Sequence, residues 1–276
     1  MMKKNKPGAV FASIVEKISG GEHSYWVLLD PDDFSFSEAS KISRFAQTEC
    51  SVDAVLVGGS LLHKSSINDF VKSVKKNLSI PVILFPGDAT QLTPHADALL
   101  YLSLVSGRNP VNLIGEHVKA APVIRSMGIE PIPTAYLLVE SGAVSSVEFM
   151  SNTRPLPRNK PEIAAAHALA AQYMGMKLVY LEAGSGAPNH VPAEIIAAVK
   201  AIVDIPVIVG GGIRDAKTAG EIIKAGADII VTGNMLKTRG GLETMREIAG
   251  VVKRFGRKKR NFSLSPPDRC NSVDIT

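Results

Sequence analysis

Glu182 stands inside an apolar run, Leu178-Val-Tyr-Leu-Glu-Ala-Gly-Ser-Gly186. A glutamate is almost never fully buried without a partner. Its position therefore calls for a functional role or for an ion pair with a lysine or arginine of another strand. In the functional role the carboxylate accepts a proton from a hydroxyl, or binds one through its oxygens. Tyr180, two residues earlier, points to the same strand face and can orient the same ligand. Glu182 and Tyr180 are thus the candidate catalytic pair. Two further apolar runs end in glycine: Val207-Ile-Val-Gly-Gly-Gly-Ile213 and Ile229-Ile-Val-Thr-Gly-Asn234. Glycine at a strand exit lets the backbone approach a ligand and aim free N–H groups at it. Gly184, Ser185, Gly186, Gly211, Gly212, Gly233 and Asn234 read as a phosphate cradle. Arg214 can add charge there, or pair with the helix that Asp215 begins.

A second group lies earlier in the chain. Asp30 ends a strand in Leu28-Leu-Asp-Pro-Asp-Asp-Phe34, and Pro31 holds it extended. Ser60 ends the next, in Val57-Gly-Gly-Ser60. One carboxylate plus substrate phosphates is a usual way to hold Mg²⁺, and Ser60 can add a hydroxyl. Both residue types are equally at home as helix or turn caps. Ser106-Gly-Arg-Asn-Pro110 offers Arg108 and Asn109 for a second anion, or else forms a polar turn. His63, His95, His117, His167 and His190 have no metal-ligand spacing and read as surface or helix residues.

The elements that must position these groups alternate. Apolar runs fall at Tyr25–Leu29, Ala54–Val57, Pro81–Phe85, Ala98–Leu104, Ile129–Val139, Leu178–Leu181, Pro206–Val209 and Ile229–Val231. Helix-period stretches separate most of them, including Val111–Met127, Pro161–Met174 and Pro192–Val203. Eight such cycles predict a closed (β/α)₈ TIM barrel, with chemistry at the strand C-termini. Residues 86–97 are too short for a full barrel helix, so the helix after strand 3 is replaced by an irregular segment. Such a gap can leave an apolar groove open to the barrel mouth. Residues 141–160 are long for a connector and read as a lid or substrate wall.

The chain has 276 residues, 45% of them hydrophobic, which suits one barrel domain over 1–256. Its net charge of +5 sits at the ends. Lys3, Lys4 and Lys6 bring +3, residues 257–276 bring another +3, and 7–256 is left at −1. That body offers no nucleic-acid-binding face. Residues 257–276 read as a flexible basic tail, whose Arg257-Lys-Lys-Arg260 run could touch an anionic membrane surface. Two distant cysteines, Cys50 and Cys270, point to a reducing cytoplasm. No apolar stretch reaches the ~18 residues of a membrane span.

Six segments together carry a resemblance: Leu-Leu-Asp-Pro-Asp at 28–32, Val-Gly-Gly-Ser at 57–60, Leu-Ser-Leu-Val-Ser-Gly-Arg-Asn-Pro at 102–110, Tyr-Leu-Glu-Ala-Gly-Ser-Gly at 180–186, Gly-Gly-Gly-Ile-Arg at 210–214 and Thr-Gly-Asn at 232–234. Over roughly residues 10–255 the chain resembles the geranylgeranylglyceryl phosphate synthase family, which includes the heptaprenylglyceryl phosphate synthases. The resemblance implies a prenyltransferase that joins sn-glycerol 1-phosphate to a long prenyl diphosphate in ether-lipid biosynthesis. It implies Asp30 and Ser60 as Mg²⁺ ligands facing the diphosphate. Tyr180, Leu181, Glu182, Ala183, Gly184, Ser185, Gly186, Gly211, Gly212, Gly233 and Asn234 would bind glycerol phosphate. Glu182 would also help deprotonate the attacking hydroxyl, and Tyr136 would line the prenyl path. Members often carry lysine where this chain has Asp33, and Arg108 is a candidate to compensate. A homo-oligomer, dimer or hexamer, is expected. Two other readings of the residues stay open. One is a phosphate-barrel isomerase or lyase using Asp30 and Glu182 as acid and base. The other is a barrel that binds glycerol phosphate or lipid without chemistry.

Overall fold

The structure, a computed structural model, describes residues 8–63 and 66–256. Its frame is a closed barrel of eight parallel strands in sequence order: β1 Ser24–Leu29, β2 Ala54–Val57, β3 Val82–Leu84, β4 Ala98–Ser103, β5 Glu130–Leu138, β6 Leu178–Glu182, β7 Val207–Gly210 and β8 Ile229–Thr232. Pairing of β1 with β8, from Ser24↔Ile229 to Val27↔Thr232, closes the ring. The eight apolar runs match these strands because parallel strands, covered on both faces, need near-continuous hydrophobic sequence.

Nine helices surround or plug the barrel among the described residues: α1 Ala9–Ser19, α2 Phe36–Glu49, α3 Ile67–Lys75, α4 Glu116–Met127, α5 Ser146–Ser151, α6 Pro161–Tyr173, α7 Ala193–Lys200, α8 Ala216–Ala225 and α9 Gly241–Phe255. The pleat divides the core in two. Trp26, Leu56, Ile83, Leu100, Ile132, Tyr180 and Ile208 fill the barrel interior. Tyr25, Val27, Leu29, Val55, Val57 and Leu181 pack outward under the helices. α1 was not among the expected helices. It closes the N-terminal end: Val10 and Ile14 join the interior cluster, and the Val10 and Phe11 N–H groups each donate to the Glu130 carboxylate at 2.9 Å.

Three expectations change in detail. The single helix at 111–127 is a wide π-type turn over Val111–Gly115 followed by α4. Pro192 precedes α7 in extended conformation, whereas Pro161 sits inside the first turn of α6. The 141–160 connector contains α5, capped by Ser145 Oγ accepting from the Glu148 N–H at 3.2 Å.

After β3 there is no helix until the turn at Val111. The 85–97 segment is held by side chains instead. Gln91 Oε1 accepts from the Gly87 N–H at 3.1 Å, and Gln91 Nε2 donates to the Gly59 carbonyl at 2.9 Å. Asp97 pairs with Lys75 and accepts from the Val82 N–H at 2.9 Å. No helix among the described residues is long and apolar enough to cross a membrane. The basic runs at 3–6 and 257–276 lie outside the described residues.

Candidate active site

The C-terminal strand ends open into a cavity of about 990 Å³. Asp30, Ser60, Tyr136, Tyr180, Glu182, Ser185, Gly186, Gly211, Gly212, Gly233 and Asn234 all line it. Residues drawn from β1, β2, β5, β6, β7 and β8 thus meet in one place. The barrel register explains this: Tyr136 lies beside Tyr180, and Glu182 beside Gly210.

Glu182 is only 6% exposed. Burial pushes its carboxyl up from 4.5 to about 7, against the lowering by hydrogen bonds from Gly184, Tyr180 and Ala183. The Gly184 N–H donates to Oε1 at 2.6 Å. No lysine or arginine pairs with it among the described ion pairs. A carboxyl poised near neutrality suits a general base. The Tyr180 hydroxyl bonds to Glu182, and burial keeps its proton on well above the ordinary range. Tyr180 therefore donates to the carboxylate and steadies it.

The glycine that follows β7 makes room for that carboxylate, and the next makes room for the backbone at Asn189. Gly211 has φ +82°, and a Cβ there would lie 2.3 Å from Glu182 Oε1. Gly212, at φ +69°, would meet the Asn189 carbonyl at 2.7 Å. Ser185 Oγ reaches Asn234 Oδ1 at 3.3 Å, joining the β6 and β8 exits. The resulting pocket is walled by backbone and small polar side chains, as a phosphate site requires.

Four residues expected to bind substrate do not line the cavity with their side chains. Leu181 and Ala183 face the outer core. The Ala183 N–H donates to the Gly210 carbonyl at 3.1 Å and also acts on the Glu182 carboxylate, and that of Gly184 donates to Glu182. Gly184 shapes the carboxylate rather than the cavity wall. Arg108 is exposed on the outside of the barrel, with Nη1 on the Gly107 carbonyl at 2.8 Å and Nη2 3.3 Å from His167 Nε2. The turn after β4 folds outward toward α6, so Arg108 does not reach the cavity.

Asp30 is half-buried at the end of β1. Burial raises its carboxyl most, the Asp32 N–H on Oδ1 at 2.9 Å lowers it, and the charges of Asp33 and Asp32 raise it again. A Cβ on Gly59 would stand 2.4 Å from Asp30 Oδ2, so the bare glycine leaves room for the carboxylate beside Ser60. Among the described residues no group of three or more His, Cys, Asp or Glu is placed to hold a metal. The hard oxygens of Asp30 and Ser60 nonetheless suit Mg²⁺, which keeps water and substrate phosphate among its ligands.

A second, apolar groove of about 300 Å³ adjoins the cavity and shares Gly59, Ser60, Leu61, Phe85 and Tyr136 with it. It runs beneath the helix-free 85–97 segment toward Tyr101, Leu102, His117 and Ala120. Phe85, Tyr136 and Tyr180 cluster at the junction, with ring centroids 5.2–6.0 Å apart. His117 is a helix residue, as expected, but a buried one: Nε2 meets Ser103 Oγ at 2.8 Å, and its ring packs edge-on to Tyr101. Phe85 and Lys237 line the cavity too and were missed. A sequence signal existed for Lys237, because the Asp30-Pro-Asp-Asp33 cluster calls for a counter-charge.

The PcrB family model matches residues 17–252. The chain belongs to the PcrB family. The geranylgeranylglyceryl phosphate synthase of Thermococcus sibiricus is 48% identical over 243 residues, covering 88% of this chain and 94% of that protein. The (S)-3-O-geranylgeranylglyceryl phosphate synthase of Thermoplasma acidophilum, solved with its substrate sn-glycerol-1-phosphate, superposes with a TM-score of 0.84 at 34% identity. It covers 92% of this chain and 100% of its own. Wild-type GGGPS from Thermoplasma volcanium gives 0.81 at 37%, over 87% and 97% of the two chains. These PcrB-family similarities extend over the whole barrel, including every strand end that lines the cavity.

Proposed function

We propose that the protein joins sn-glycerol 1-phosphate to geranylgeranyl diphosphate, making the ether bond of archaeal-type lipids. The observation that carries this reading is the junction of two unlike spaces. A glycine-walled polar cavity with a buried base opens directly into an apolar groove, and both share the wall of Gly59, Ser60, Phe85 and Tyr136. One suits a phosphorylated polyol and the other a prenyl chain. The likeness to named synthases, one of them solved with glycerol phosphate, supports the same reading.

In this mechanism the exits of β6, β7 and β8 hold the phosphate of the acceptor. Glu182 accepts the proton of the free terminal hydroxyl as its oxygen attacks C1 of the donor. The C1–O bond to diphosphate breaks, its electron pair leaves with the diphosphate, and a C–O ether bond forms. Tyr180 keeps the carboxylate aimed, and the aromatic junction holds the allylic carbons dry at the cavity edge. Asp30 and Ser60 would hold Mg²⁺, whose charge makes the diphosphate a better leaving group. The remaining contribution is orientation and fixed dipoles.

The reading extends to a cytoplasmic homo-oligomer that meets lipid only peripherally. Val111, Ile114 and Val118 form an exposed apolar stripe along the turn and α4, which supports a face for self-association. The deciding experiment gives the protein radiolabelled sn-glycerol 1-phosphate with C20 or C35 prenyl diphosphate, with and without Mg²⁺. Metal-dependent transfer of label into the organic phase is expected, with C20 the better donor. Folded protein that transfers label from neither donor refutes the proposal.

A further inference from the structure

The polar cavity must receive two polyanions, yet its lining carries the carboxylates of Asp30, Asp33 and Glu182. Among the described residues the basic side chains lining it are Arg214 and Lys237, with His63 beside them. Arg214 is committed: its guanidinium donates to the Ala187 carbonyl at 2.6 Å and to the Pro188 carbonyl at 2.9 Å. It holds the loop after β6 in shape. Lys237 is differently placed. It follows β8 on a 3₁₀ turn, Asn234–Lys237, and its ammonium reaches across the barrel seam to the Asp33 carboxylate on the β1–α2 loop.

We infer that Lys237 is a positioning residue for the diphosphate of the prenyl donor, parked on Asp33 until the donor arrives. The inference rests on the prenyltransferase reading above. Three observations lead to it. Lys237 and Asp33 are both partly exposed, with side-chain accessibilities of 39% and 31%, so the pair is weakly held and readily exchanged. The ion pair with Asp33 holds the ammonium on the β1 side of the cavity, and its positive charge acts on Asp30, the candidate metal ligand there. The glycine exits of β6 and β7 lie on the other side, where Arg214 already stands. A diphosphate entering between Asp30 and Lys237 gives the ammonium oxygen partners of higher charge than one carboxylate, and such charge-assisted bonds are the strong ones. Asp33 then serves the empty site. It neutralises Lys237 when no donor is bound and keeps the ammonium turned toward the seam.

The test uses the full chain and inorganic pyrophosphate with Mg²⁺, followed by titration calorimetry in saturating sn-glycerol 1-phosphate, which fills the other anion site. Lys237→Gln is expected to weaken pyrophosphate about tenfold or more, the scale of one lost charged hydrogen bond. Lys237→Arg should restore most of the affinity. The glycerol phosphate dissociation constant, measured separately, should change by a clearly smaller factor, since the Lys237 ammonium is turned across the seam to Asp33, away from the β6 and β7 exits that complete that site. In steady state the KM for prenyl diphosphate should rise far more than that for glycerol phosphate. Unchanged pyrophosphate affinity in Lys237→Gln overturns the inference, and so does an equal loss of both anions. Those results in a protein that still transfers label leave the prenyltransferase reading standing. A wild-type protein that neither transfers label nor binds pyrophosphate refutes both.

Discussion

Replacing Glu182 by glutamine tests the central residue in two independent ways. The carboxyl titrates at about 7 in the folded chain against an ordinary value of 4.5, chiefly because it is buried. A group raised on folding favours the native state below its unfolded pKa, and that contribution is lost as pH rises through the folded pKa. The window here runs from 4.5 to about 7. At about 1.4 kcal/mol per pH unit, holding Glu182 ionised and buried costs about 3 kcal/mol above the window. Near pH 5 the cost is under about 1 kcal/mol, because the folded carboxyl there is still protonated. Glutamine keeps an oxygen for the Gly184 N–H and carries no charge. Glu182→Gln should therefore raise the melting temperature at pH 8.5 by roughly 6–12 °C, at about 2–4 °C per kcal/mol for a domain of this size. At pH 5 the gain should shrink to a few degrees or less.

The same substitution should lower turnover by about 10²–10⁴-fold, the usual loss on removing a general base. In wild type, kcat/KM for glycerol phosphate should climb with pH and level off above about 7, as Glu182 ionises. Differential scanning calorimetry of ligand-free protein at the two pH values, beside a pH–rate profile, makes both measurements. A melting-temperature difference that does not depend on pH would refute the account of Glu182 as a carboxyl strained by burial. Activity retained in the variant would refute its role as base.

Three further outcomes follow from the geometry. Asp30→Asn should cost about 100-fold or more in Mg²⁺-dependent turnover; calorimetry should show no loss of stability, because the change removes one of three crowded carboxylates while an Asn oxygen still accepts from the Asp32 N–H. Gly211→Ala, at φ +82° and with its Cβ 2.3 Å from Glu182 Oε1, should displace the base and lower kcat about 100-fold, with a destabilisation of about 1–3 kcal/mol in urea unfolding. Ala120→Phe fills the far end of the apolar groove, so assays across donor lengths should show C20 and C35 transfer falling while a C10 donor is kept; equal loss at every length would place the prenyl chain elsewhere.

The barrel was legible because its signal is repeated eight times. Most strand residues are buried on both faces, so the expected runs and the observed strands agree to within a residue or two at their ends, from Ala54–Val57 to Ile229–Thr232. The missing helix was legible as a shortage of residues between Phe85 and Ala98. Side-chain destinations were less so. Leu181 and Glu182 are neighbours in sequence, yet the pleat sends one to the outer core and the other to the cavity. Periodicity fixes that alternation, but a motif carried over residue by residue ignores it. The direction of Arg108 was hidden for a different reason. A turn's polar residues show that it is exposed, not which way it folds. Lys237 escaped notice because its partner, Asp33, is distant in sequence and meets it only where the ring closes between β8 and β1.

That closure also explains why a deleted helix serves the chemistry. A complete outer ring would cover β3 and leave the cavity one exit, at the mouth. Leaving out one helix opens a lateral apolar path beginning at Phe85 and Tyr136, beside the polar strand ends. In the proposed mechanism the two substrates approach from different directions and meet at Glu182, each in an environment matched to its own surface. The structural expense of the gap is moderate because polar side chains brace the bare segment: Gln91 ties it to Gly59, and Asp97 anchors it to Lys75 and Val82. The Gln91 brace ends on the loop that carries Ser60. The segment that opens the groove thus also fixes the wall where groove and cavity join, and a change at Gln91 should disturb the handling of both substrates rather than of the prenyl donor alone.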